Sequence, residues 1–374
     1  MKFQVERGGL TEAVAWTARS LPARPPVPVL AGLLLDTTGG MLTLSGFDFE
    51  VAASASVEVT LAESGRSLVS GRLLAEIVRS LPNAPVDISS EGSRLVLSCG
   101  SSKFTMPTLP VDDYPVLPAL PPTVGSVSAT VFAAAVAQVV VATGRDDTLP
   151  VLTGVRMEID GDRLTLAATD RYRLAMRELI WSPTGGDLPA AALVPGRTLA
   201  DAAKALAGGG DVTVALGSGA SGETLIGFAN DTRRTTTRLL DGEYPRYRSL
   251  LPNSHQAQAE IPTAALVESV RRVSLVAQRT SPVRLSFDQD SLLLEAGNGE
   301  DAQAAETLEV AFTGEPLTIA FNPTFLLDGL GVLEAPTARL RFTDPKRPAV
   351  LTGGDADGAG HDYSYLLMPV RLSG

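Results

Sequence analysis

The chain has 374 residues, 44% of them hydrophobic and 20% charged, with a formal net charge of −11. That composition is globular and contains no apolar stretch of about 18 residues to span a membrane. Its acidic balance excludes a protein that grips nucleic acid by bulk phosphate neutralisation. The opening MKFQVERGG has neither an apolar signal core nor a small-residue cleavage site, and the single cysteine, Cys99, excludes an internal disulfide, so a reducing cytoplasm is the expected location.

Along the chain, KFQVE reads as a strand, and Leu10, Val14, Ala18 and Leu21 are spaced for one face of the helix after it. PVPVLAGLLLD, around Leu30, opens a strand, a glycine turn and a second strand. Val69 to Pro82 (VSGRLLAEIVRSLP) follows as a second helix pattern. Cys99 lies in the alternating run RLVLSCGSSKFTM and reads as a strand residue, and Tyr114-Pro115 comes after it.

The same order then returns. Ala129 to Thr143 is an almost uncharged helix pattern, Leu152 opens another strand pair, and Val194 to Ala207 (VPGRTLADAAKALA) repeats the earlier helix 125 residues on. Gly71 matches Gly196, Arg72 matches Arg197, Leu74 matches Leu199, Glu76 matches Asp201 and Arg79 matches Lys204; Tyr244-Pro245 answers Tyr114-Pro115. A third round has a helix over Ile261 to Gln278, a strand pair in which Leu285 is aligned with Leu30 and Leu152, and a helix over Phe321 to Glu334 that keeps its acid, Asp328, in register.

Self-similarity at this period predicts three tandem copies of one fold, over 1–122, 126–253 and 259–374. The strand connections are too short for parallel crossovers, so the class is α+β with antiparallel sheets. Tandem copies can bury their sheet edges against one another, and two chains joined first copy to third can close a ring.

The residues offer little to catalysis. His255 and His361 have no neighbours at metal-ligand spacing, and there is no phosphate loop. GSGASG, from Gly217 to Gly222, lies between two strand patterns and reads as a hairpin turn. Asp112-Asp113 and Asp146-Asp147 read as solvated turns, and Asp170 as a turn-stabilising residue.

Five ordered motifs then carry a resemblance over the whole length: MKFQVER, RPPVPVLAGLLL (24–35), ATDRYRLA (168–175), EYPRYRSLLP (243–252) and YLLMPVRL (365–372). With them the chain resembles the bacterial β sliding clamp family, the processivity factors of replicative DNA polymerases. The resemblance implies a non-catalytic head-to-tail homodimer, three clamp domains per subunit, closed around duplex DNA with no cofactor or metal. It implies that Arg24, Arg72, Arg79, Arg197 and Lys204 face the DNA. It also implies a pocket that takes a short peptide of the polymerase, the clamp loader and repair proteins, formed by Leu152, Thr169, Arg171, Tyr172, Arg173, Leu174, Pro245, Ser249, Leu250, Leu366, Met368, Pro369, Val370, Arg371 and Leu372. Leu73, Ile77, Phe104 and Met106 would meet Ser274 and Leu275 at the dimer seam.

The chain departs from the family pattern at Arg171-Tyr172, where Gly-His is common, at Ser249, where a basic residue is common, and at Ser274, often larger and apolar. Two alternatives follow from the residues alone: a peptide-binding adaptor that does not encircle DNA, and a three-repeat enzyme with paired carboxylates in a cleft.

Overall fold

A computed structural model describes residues 1–185, 191–219, 222–252, 254–277, 281–297, 302–354 and 362–371. Within them each repeat contributes nine strands and two α-helices. In the first, β1 (Lys2–Val5) and α1 (Arg7–Thr17) precede β2 (Gly32–Thr38), β3 (Met41–Phe47), β4 (Val51–Glu58), β5 (Thr60–Glu63) and β6 (Gly65–Ser70); α2 (Gly71–Ser80) precedes β7 (Val86–Glu91), β8 (Arg94–Cys99) and β9 (Ser102–Leu109). The second runs β10 (Thr123–Ser128), α3 (Ala129–Val140), β11 (Gly154–Asp160), β12 (Arg163–Thr169), β13 (Arg173–Ile180), β14 (Ser182–Pro183), β15 (Ala191–Pro195), α4 (Gly196–Leu206), β16 (Asp211–Ser218), β17 (Thr224–Ala229) and β18 (Arg233–Arg238). The third runs β19 (Ala257–Pro262), α5 (Thr263–Ser274), β20 (Val283–Asp288), β21 (Ser291–Ala296), β22 (Ala304–Glu309), β23 (Ala311–Thr313), β24 (Leu317–Phe321), α6 (Pro323–Gly331), β25 (Thr337–Phe342), β26 (Ala349–Gly354) and β27 (Tyr363–Leu367). No helix among the described residues is long and apolar enough to cross a membrane.

The helices are shorter than their apolar patterns because the flanking residues are recruited elsewhere. Val69 and Ser70 finish β6, and Leu81 turns extended ahead of Pro82. Phe321 finishes β24, while the Asn322 side chain accepts from Thr324 N at 2.9 Å and caps α6 with Pro323 at its first position. α5 covers Thr263–Ser274 of the expected Ile261 to Gln278; Gln278 itself lies outside the described residues.

Strand pairing fixes how the copies correspond. Among the described residues every strand pair is antiparallel, and β2–β3, β11–β12 and β20–β21 set Leu35 opposite Leu44, Met157 opposite Leu166, and Leu285 opposite Leu294. Leu285 is therefore the counterpart of Leu35 and Met157, not of Leu30 and Leu152, because the hairpin turn and not the first leucine of the run sets the register. The helix register holds: Leu74, Leu199 and Leu326 are each fully enclosed.

By contact density the chain forms two compact units. The first is Met1–Phe132, Ser182–Asp187 and Asp201–Leu239; the second is Ala133–Trp181, Leu188–Ala200 and Leu240–Gly374. The first holds one sheet in the order β14-β10-β16-β17-β18-β4-β3-β2-β6-β9-β8-β7-β1-β5. One of its cores gathers Leu10, Val14, Leu74, Val78, Leu95 and Leu97 between α1, α2 and the sheet. Cys99 is a buried strand residue there. The second unit holds the sheets β15-β11-β12-β13-β27-β26-β25-β19-β23 and β22-β21-β20-β24.

Each unit thus contains one sheet that runs from one repeat into the next, through β4–β18 in the first and β13–β27 in the second. The site described below is built on the second of these junctions.

Candidate functional site

β12 leads into β13 through a turn held by Asp170, whose Oδ1 accepts from Tyr172 N (3.0 Å) and Arg173 N (3.1 Å). The turn forces Arg171 into the left-handed region at φ 80° and frees Asp170 Oδ2 to accept from Arg173 Nε at 2.9 Å. Arg173 begins β13 opposite Leu367 of β27, so its side chain, only 4% exposed, points between repeats. There its Nη1 donates to Asp328 Oδ2 of α6 at 2.6 Å and to the Tyr365 hydroxyl at 3.3 Å. Tyr365 in turn donates to the Phe325 carbonyl at 2.8 Å.

Burial alone would disfavour the guanidinium, but Tyr365, Asp328 and Asp170 outweigh that penalty and hold the Arg173 pKa above its ordinary value. Burial pushes the Tyr365 hydroxyl upward, so it stays a neutral donor. α6 can approach Tyr365 because it carries Gly329 at the crossing, where an added Cβ would lie 2.4 Å from the ring.

Aromatic rings extend this anchor to the surface. The Phe325 ring lies 4.4 Å from Arg173 Cζ and stacks on Tyr172 at 6.2 Å, and Arg171 Cζ lies 6.0 Å from the Tyr172 ring. Beside the stack opens a cavity of about 420 Å³ lined by Arg145, Leu149, Leu152, Arg171, Tyr172 and Phe325, among others. The Tyr172 carbonyl accepts from Met368 N at 2.9 Å. Beyond that bond lies a second hollow, about 600 Å³, between Thr318–Ala320, Lys346 and Met368–Arg371. Val370 N donates to Ala320 O at 2.8 Å and keeps the last described segment against β24.

On the same junction Ala167, Leu174, Leu193, Tyr244, Tyr247 and Leu366 form an apolar cluster. Tyr244 donates to the Ala167 carbonyl at 3.3 Å, and Tyr247 to Glu158 at 2.8 Å, where Arg248 also donates at 2.8 Å. Burial raises both tyrosine pKa values; Glu158, despite its own burial, is held below its usual range by Arg156, Arg248 and Tyr247.

Of the residues expected in a peptide pocket, Leu152, Arg171, Tyr172 and Arg173 line the first hollow, and Met368, Pro369, Val370 and Arg371 line the second. Thr169, Leu174 and Leu366 are buried and line neither hollow. Pro245, Ser249 and Leu250 are exposed beside buried Tyr244 and Tyr247, and Leu372 lies outside the described residues. Sequence reasoning missed Phe325, Asp328 and Tyr365 as site residues; the one available signal was that Asp328 keeps the register of Glu76 and Asp201.

The other expected surfaces fare unevenly. Arg24, Arg72, Arg79, Arg197 and Lys204 are all exposed, and Arg72 and Arg197 are the second residues of α2 and α4. The residues expected at the seam differ in their exposure in the single chain. Met106 (1% exposed) and Ile77 (7%) are enclosed in the first repeat's own core, because Met106 faces inward opposite Leu95 and Ile77 sits on the inner side of α2. Leu73 and Leu275, 85% exposed in the latter case, are the apolar side chains that remain outside, with Phe104 half-buried and Ser274 in a bond to the Val270 carbonyl.

The comparison with known proteins follows the three repeats. The DNA polymerase III beta subunit matches with its N-terminal domain over 1–118, its central domain over 126–246 and its C-terminal domain over 248–371. The chain belongs to the DNA polymerase III beta subunit family. The beta sliding clamp of Streptomyces coelicolor is 58% identical over all of both chains, and that of Escherichia coli strain K12 is 30% identical, again over all of both. The crystal structure of a sliding clamp from Pseudomonas aeruginosa bound to griselimycin superposes with a TM-score of 0.90 at 29% identity, covering both chains fully. The chain is accordingly a sliding clamp of three clamp domains, a non-catalytic processivity subunit of DNA replication.

Proposed function

We propose that two copies of this clamp pair head to tail through β9 and β22, enclose duplex DNA, and tether replication and repair proteins by a short peptide laid across the two hollows beside Tyr172 and Met368. The carrying observation is the pattern of strand junctions. The last strand of the second repeat, β18, pairs with the fourth strand of the first, β4, and β27 pairs with β13 in the same way. Two strands are left over: among the described residues β22 pairs only with β21, and residues 102–107 of β9 pair only with β8.

The two existing junctions share one register. Thr235 faces Ala53 and Tyr365 faces Ala175. Carried through the hairpins, their counterparts are Phe104 and Ala304, so a third junction of the same kind sets Phe104 opposite Ala304 and Lys103 opposite Ala305. Both Phe104 and Ala304 are half-buried, whereas their four counterparts are buried, as a missing strand would leave them. Main-chain pairing supplies the affinity, and Leu73 and Leu275 add apolar contact at its margin.

With enclosure the net charge of −11 is no obstacle, since topology and not phosphate neutralisation retains the DNA. The exposed Arg24, Arg72, Arg79, Arg197 and Lys204 are assigned to sparse phosphate contacts. Domains at 1–122, 126–253 and 259–374 and a cytoplasmic location belong to the same reading. The test combines native mass with DNA retention: a two-chain particle that stays on closed circular DNA and leaves after linearisation supports it, and equal retention on both forms contradicts it. For the hollows, calorimetry with a short clamp-binding peptide should lose about 2 kcal/mol or more on Met368→Ala; unchanged affinity places the partner site elsewhere.

A further inference from the structure

Tyr114 and Tyr244 do the same work in the first two repeats. Each comes after the repeat's last strand and returns as a plug: Tyr114 packs with Leu34, Phe47, Ala52 and Leu68, and Tyr244 with Ala167, Leu174 and Leu193. Burial raises the pKa of both hydroxyls, Tyr114 to about 12. Strand register gives the third-repeat counterparts of these slots. Arg284 stands for Leu34 and Arg156, Glu295 for Ser45 and Ala167, Gly297 for Phe47 and Thr169, and Gln303 for Ala52 and Leu174.

All four counterparts line one cavity of about 640 Å³, whose described walls include no aromatic residue. Among the described residues, no tyrosine fills in the third repeat the slot that it fills in the first two. Gly297 keeps it open: its φ is 97°, and a Cβ there would lie 2.2 Å from the Ala302 carbonyl, so the bulk that Phe47 supplies in the first repeat cannot be supplied here. The chemistry of the plug is retained. In the second repeat Arg156 Cζ sits 5.9 Å from the Tyr244 ring centre and the phenol donates to the Ala167 carbonyl. In the third, Arg284 and the Glu295 backbone hold those places, with Arg284 Nη1 3.9 Å from the Glu295 carboxylate.

We propose that this cavity is a second partner site, which takes the tyrosine of a Tyr-Pro segment in a partner protein as the first two repeats take their own. The ring lies beside the Arg284 guanidinium, a cation–π contact, and the phenol hydrogen donates to the Glu295 carbonyl. The following proline fixes the backbone extended away from the cavity, as Pro115 and Pro245 follow their tyrosines. The fourth wall, which Leu366 of the next repeat gives the Tyr244 slot, falls to β9 of a second chain; to that extent the site rests on the proposed seam.

The probe is N-acetyl-Tyr-Pro-amide on the full chain, followed by ligand-detected NMR, with the Leu-Pro analogue as control. Saturable binding of the tyrosyl peptide, at least tenfold tighter than the leucyl one, weakened about tenfold by Arg284→Met and unchanged by Met368→Ala, is the expected result. Arg284 is half-exposed, so the substitution leaves folding intact. Equal binding of both peptides, insensitivity to Arg284→Met, or no binding to a protein that sediments as a dimer overturns the proposal. A particle that sediments as a monomer overturns the seam instead, and the peptide then binds the single chain weakly if the slot itself is right and not at all if it is wrong.

Discussion

Phe49 and Arg171 occupy the same place in successive repeats, and among the described residues they are the two non-glycine residues with left-handed backbone, at φ 75° and 80°. The cause is a repeated aspartate turn: Asp48 Oδ1 accepts from Glu50 N and Val51 N as Asp170 Oδ1 does from Tyr172 N and Arg173 N. A side chain with a Cβ costs roughly 1–2 kcal/mol there. Arg171→Gly should therefore raise stability by about 1 kcal/mol, less what its contact with Tyr172 contributes, and Arg171→Val should lower it. Equilibrium urea unfolding decides; a glycine variant less stable than the parent removes the strain argument.

Arg173 joins two carboxylates from different repeats. Arg173→Met leaves Asp170 and Asp328 facing each other with no cation, a loss on the order of 3 kcal/mol. Asp328 is about one-third exposed, so Asp328→Asn should cost less, because solvent already shares its charge. A double-mutant cycle on unfolding free energies should show coupling between them; additive losses would mean that Arg173 is held by Asp170 and Tyr365 alone.

Glu306 lies on β22 and accepts from Arg272 Nη2 at 2.6 Å and Nε at 3.0 Å, and from Ser269. Those bonds draw its pKa from 4.5 to about 2. A folded pKa below the unfolded one means that stability present above about 4.5 is lost as pH falls through about 2. Glu306→Gln should flatten the acid limb of a stability profile in that window. An unchanged limb would show that other carboxylates set it.

How much of this was legible in the sequence depends on the distance between the contacting residues. Within a repeat, Leu74, Leu199 and Leu326 sit on helices at a fixed phase, and apolar spacing alone reveals them. Asp170 was readable as a turn residue because its partners are two and three positions on. The Arg173 anchor was not readable, since Asp328 and Tyr365 lie 155 and 192 positions away and meet it only through the β13–β27 junction. The difference in cover between Met106 and Phe104 was unreadable for a related reason: alternation puts them on the same face, and only the sheet's end decides which of the two is covered.

The shared junction register makes a prediction about the seam. Lys103→Cys with Ala305→Cys, counterparts of the Arg234–Ser54 and Ser364–Met176 pairs, should cross-link between chains on oxidation, while Lys103→Cys with Thr307→Cys should not. Cys99 is buried and should not interfere. Non-reducing electrophoresis reads the result, and cross-linking of the shifted pair alone would refute the register.

Charge placed on the same surfaces should separate the chains. Leu275→Asp together with Phe104→Glu should give folded monomers, since an unpaired charge buried at a seam costs several kcal/mol. Sedimentation that still finds the dimer would move the seam elsewhere.

β4–β18 and β13–β27 are junctions of one design, but covalent continuity gives them something that a β9–β22 junction lacks. Their strands are held at a high effective concentration by the intervening chain, so a lost pairing re-forms before it has consequences. Strands on separate molecules have no such tether, and dilution acts on them alone. In the closed pair proposed above, opening would thereby fall at the intermolecular seams without any weaker hydrogen bond being built there, and a loading machine would have only to outlast one re-pairing event to pass a duplex through.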